Sequence, residues 1–89
     1  MDNKTILLAL ASDLKRVTLG IERGATDMAM RFGEEALQRK QEIDRSMVAR
    51  YIGDLLDSID QVLSQKDLQK KAEDALMYSN LFQNYSLKK

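Results

Sequence analysis

From Leu7 to Phe32 the apolar residues recur three and four positions apart, and no proline interrupts them or any other part of the chain. At that spacing Leu7, Leu10, Leu14, Val17, Ile21, Ala25, Met28 and Phe32 share one face of an α-helix. The face continues more weakly through Ala36 and Ile43. Asn3 or Thr5 can start the helix, because either side chain can accept a hydrogen bond from a free amide of the first turn.

Two places compete for its end. Gly33 can adopt the left-handed conformation that follows a last turn, with Glu34 and Glu35 then well placed at the start of the next helix. Opposite charges four residues apart, Asp27–Arg31, Glu35–Arg39 and Lys40–Asp44, support helix on both sides of that glycine. The balance predicts one long helix over residues 4–43, bent or kinked near Gly33, with the break at Asp44-Arg45-Ser46.

A second helix is expected over 46–64, where Val48, Ile52, Leu55, Ile59 and Val62 form a stripe widened by Tyr51, Leu56 and Leu63. Ser64-Gln65-Lys66-Asp67 reads as a turn whose Ser or Asp caps a third helix over 67–85. Leu68, Ala72, Ala75, Leu76, Ser79 and Phe82 would be its inner face, and residues 86–89 a frayed tail. No alternating strand pattern occurs. The fold class is all-α: a single domain, 1–89, built as a three-helix antiparallel bundle with a long first helix.

Such a bundle is unbalanced. At 1.5 Å per residue the first helix would span roughly 57 Å, and the other two about 28 Å each. A second apolar set, Leu8, Leu19, Met30 and Leu37, projects nearly opposite the main stripe of that long helix and is a candidate self-association face. A domain of 89 residues is also short of core. These features together predict a homodimer that completes a larger helical bundle. Gly20 and Gly24, four residues apart, mark either a place where another backbone approaches closely or a weak point in the helix.

Composition bears on function mainly by exclusion. The chain has no Cys and no His, which removes disulfides, thiolate metal sites and the commonest general base. Without His, neither an activated serine nor a Glu-x-x-His di-iron site can be assembled. Asp54, Asp57 and Asp60 form an acidic edge better read as a solvated or salt-paired face than as a cation site. The expectation is a protein that is not an enzyme and takes no cofactor or metal.

Basic and acidic residues number 14 each, eight of each in residues 1–45 and six of each in 46–89, so the field of a nucleic-acid binder is missing. Lys15, Arg16 and Arg23 are interspersed with acids. The apolar run Ile6–Ala11 is too short for a signal sequence or a membrane span, and a cytoplasmic location follows as the default. Tyr78, Leu81, Phe82 and Tyr85 hold three of the five aromatic residues and form a candidate partner-docking patch. The functional expectation is an interaction module, an adaptor, regulator or assembly subunit, whose partners are itself and possibly another protein. A nucleic-acid-associated regulator on a dimeric helical bundle is the alternative.

Overall fold

In the computed structural model, which describes residues 2–88, the first apolar stripe is divided between two helices. Helix α1 spans Asn3–Glu22 and α2 spans Thr26–Glu42; a single 3-10 turn, Arg45–Met47, leads to α3, Arg50–Leu63, and α4 covers Leu68–Leu87. The long first helix expected over 4–43 is therefore a helical hairpin, and its break lies at Arg23-Gly24-Ala25. Gly24 has a φ of 70°, a conformation open to glycine and strained for side-chain-bearing residues. Its N–H donates to the Ile21 carbonyl at 3.1 Å, and the Ala25 N–H donates to the Gly20 carbonyl at 2.7 Å. This nested pair of bonds satisfies the last carbonyls of α1 and turns the chain back.

Close contact then holds the hairpin. A Cβ on Gly20 would fall 2.8 Å from the Ala29 backbone nitrogen, so here two backbones meet and only hydrogen fits between them. The seam repeats every seven residues, with Ile6, Asp13 and Gly20 buried on α1, Ala29 and Ala36 on α2, and Ile43 directly after it. Gly33, the site of the expected bend, is an interior residue of α2, buried beneath the Leu63 methyls of α3.

Helix α1 also packs closely against α4, through small residues. Ala72, Ala75, Ser79 and Ser86 are buried on α4. Two hydroxyls cross the seam to backbone carbonyls: Thr18 Oγ1 donates to Ala72 at 2.7 Å and Ser79 Oγ to Ala11 at 2.6 Å. Leu68 and Leu76, expected on the inner face of α4, remain exposed, because a seam this tight admits small side chains and leaves large ones on its flanks. α3 borders α4 and α2 across wider gaps, filled by Ile52, Leu56, Ile59 and Val62 from α3 and by Leu7, Leu10, Leu14, Val17 and Phe82 opposite.

The result is a bundle of four successive antiparallel helices. A helix of 20 residues is about 30 Å long, in keeping with overall dimensions of 36 × 21 × 20 Å. The length mismatch inferred from the sequence does not arise, since the hairpin folds the surplus helix back on itself. The break at residues 44–46 is present as expected, with the Asp44 side chain accepting from the Ser46 N–H and hydroxyl. Asp67 caps α4 by accepting from the Lys70 N–H. The tail expected to fray is helical through Leu87, with Ser86 buried, and Lys89 lies outside the described residues.

Candidate functional site

Residues 75–87 carry no charge, in a chain of which 31% is Asp, Glu, Lys or Arg. They form the C-terminal two thirds of α4. Ala75, Ser79, Phe82 and Ser86 face the core, while the outward side presents Met77 at 49% exposure, Leu81 at 38% and Leu87 at 59%. Asn80, Gln83 and Asn84 lie exposed among them. An outward helix face ordinarily carries the charges that keep it in water. This one is polar only through amides, which can pair in any orientation.

The aromatic residues of α4 divide between the two sides. Phe82 is fully buried, and Tyr78 packs edge-on against it with ring centres 6.3 Å apart. Tyr85 is half-buried and its phenol oxygen accepts from the Ala49 N–H at 2.9 Å, tying α4 to the start of α3. Leu81 alone of the set Tyr78, Leu81, Phe82 and Tyr85 stands on the outward face.

The other sequence-derived face is also divided. Leu8 and Leu19 belong to α1, Met30 and Leu37 to α2, so the eleven-residue spacing that aligned them on one continuous helix no longer does so. Leu37 packs against the main core and Met30 is exposed. Leu8 lies in the groove between α1 and α4 beside Ser79 and Gln83, next to the uncharged face.

At the end of the bundle where α1 and α3 begin and α4 finishes, a cleft of about 530 Å³ opens between Leu7, Val48, Met47 and the rings of Tyr51 and Tyr85. The two rings meet edge to face at 5.9 Å. Lys4 and Lys88 stand at the rim, and among the described residues neither is in a salt bridge. The neighbouring carboxylates are committed as caps. Asp2 accepts from the Thr5 N–H, which lowers its pKa, and Asp44 holds Ser46.

A buried charge sits on the hairpin seam. Asp13 accepts from Arg39 Nε at 2.8 Å. Burial pushes its carboxyl up from the ordinary range, against the pull of the Arg39 guanidinium. Two of the three acids on the α3 edge are paired, Asp57 with Arg45 at 2.7 Å and Asp60 with Lys40 at 3.0 Å, and Asp54 is exposed. No group of three potential metal ligands occurs among the described residues. Within the basic cluster, Arg16 donates to Ser12 and stacks with Arg31 on the ring of Phe32. No helix among the described residues is long and apolar enough to cross a membrane.

Sequence reasoning missed the uncharged face because it counted charge by halves of the chain rather than along one helix. The end cleft joins residues more than 80 positions apart, and no local pattern announces it. Compared with protein families, curated proteins and solved structures, the chain matches none.

Proposed function

We propose that this chain is a non-enzymatic interaction module whose first partner is a second copy of itself, docked through the outward face of α4. The observation that supports this reading is the absence of charge over residues 75–87, combined with the exposure of Met77 and Leu81 one helical turn apart. In a two-fold dimer, residues near the axis meet their own counterparts, so any charge there opposes a like charge. A face with large apolar side chains and neutral amides is suited to that arrangement. Leu8 lies in the adjoining groove, whose α1 wall also carries Lys15.

Size-exclusion chromatography with light scattering tests the proposal. The wild-type chain is expected at twice the monomer mass, and Met77→Glu with Leu81→Glu at the monomer mass with unchanged helical circular dichroism. Both side chains are exposed, so the double variant leaves the core intact. A wild-type chain that runs as a monomer overturns the proposal.

A further inference from the structure

The cleft at the bundle end is separate from the outward residues of α4, and the charged side chains in its lining are both lysines. Its floor is apolar and aromatic, from Leu7, Val48 and Tyr85. Its donors are two lysines and a phenol, beside one acceptor, the Ser86 oxygen, whose hydrogen is given to the Phe82 carbonyl. Lys4 and Lys88 bring ammonium groups to the rim, and the Tyr85 oxygen, which already accepts from Ala49, keeps its own hydrogen to give. The carboxylates nearby, Asp2 and Asp44, accept from capping amides and sit beside Lys4 in the adjoining groove, outside the cleft lining. Two further side chains extend from the walls, Met47 at 73% exposure and Tyr51 at 55%. Met is the most adaptable of apolar side chains and suits a surface that reshapes around an incoming group.

We propose that this cleft receives a segment of another protein in which a bulky apolar side chain is flanked by carboxylates. The apolar side chain would enter between Leu7, Val48 and the two tyrosines, and the flanking acids would meet Lys4 and Lys88. The volume lies within the range of ligand pockets, but a free small molecule needs most of its surface covered. A cleft whose walls remain this open covers one side chain well and leaves the rest of the ligand outside. That suits an anchor whose remaining surface belongs to its own protein.

Fluorescence anisotropy with three labelled octapeptides tests the inference. One carries Trp-Leu between pairs of Asp and Glu, the second replaces the acids with Lys, and the third replaces Trp-Leu with Ala-Ala. The acidic aromatic peptide is expected to bind saturably, at least about tenfold more tightly than either control, and more weakly as salt rises. Lys4→Glu with Lys88→Glu should reverse the preference between the acidic and basic peptides, an outcome that general loss of structure cannot produce. Met77→Glu with Leu81→Glu should bind as the wild type does, which separates this site from self-association. Equal binding of the acidic and basic peptides overturns the proposal. So does an unchanged preference in the lysine variant, or displacement of the peptide by octanoate at equal concentration, which would mark a small-acid pocket instead.

Discussion

Two interior helix glycines carry opposite expectations. At Gly20 a methyl group would fall 2.8 Å from backbone, which cannot swing aside as a side chain does. At Gly33 the nearest atoms are Leu63 methyls at 3.9 Å, ordinary contact. Gly20→Ala should therefore destabilise by about 1–3 kcal/mol through overpacking. Gly33→Ala should stabilise by about 0.5–1 kcal/mol, since alanine is the better helix former. Urea unfolding of the two variants checks the pair, and effects of equal sign would contradict the seam geometry. Asp13 carries a pH signature at the same scale. Because burial raises its folded pKa, the native state holds that proton more firmly than the unfolded chain does. This contribution is present below the ordinary carboxylate range and is lost as pH rises through the raised value. Asp13→Asn keeps an oxygen for Arg39 and removes the titration. Unfolding free energies at about pH 3 and about pH 6.5 should therefore shift in favour of the variant as pH rises. A difference independent of pH would count against a strained carboxylate.

Between elements, one side chain fastens the hairpin's open end. Asn3 Nδ2 donates to the Asp44 carbonyl at 2.8 Å, and the Asp44 N–H donates back to Asn3 Oδ1 at 3.0 Å. Asn3→Ala removes both bonds and is expected to cost about 1–2 kcal/mol. Hydrogen exchange at the Asp44 amide should accelerate more than at the middle of α2, and uniform acceleration would make the loss global. Much at this scale was legible in the sequence. The start of α4 at its Asp67 cap, the break at Asp44 and the close approach at Gly20 follow from residue type and spacing. The division of α1 from α2 was hidden because Ile21, Ala25 and Met28 keep the helical period across it, as if the turn were absent. The charge pairs misled for a related reason. Arg39 and Lys40, spaced to meet Glu35 and Asp44 along one helix, instead reach Asp13 and Asp60 on others. Local spacing shows that a pair is possible, and only the tertiary arrangement decides which partner is nearer.

Over the whole molecule, α1 is the shared element, tight against α2 on one side and α4 on the other, with α3 farthest from it. Both tight seams are made by small residues and buried polar groups, and the large aliphatic side chains fill the wider space toward α3. The outward face of α4 belongs to one helix, whereas the cleft at the bundle end draws on α1, α3 and α4, which meet there only in the finished fold.

The left-handed turn at Gly24 has a consequence for topology. The apolar period runs unbroken through it, so the same residues also encode the straight continuation of α1 into α2. What favours the bend is a residue at ease with positive φ. Gly24→Ala penalises the turn by about 1 kcal/mol and favours the straight helix by a similar amount. A straightened hairpin carries α2, α3 and α4 away from their own α1 and onto that of a second molecule, with every core contact preserved between chains. The variant is expected to form a domain-exchanged dimer that persists when the outward face of α4 is made acidic, and light scattering on the triple variant reads this directly. One backbone angle thus sets whether a chain completes its own fold or its neighbour's.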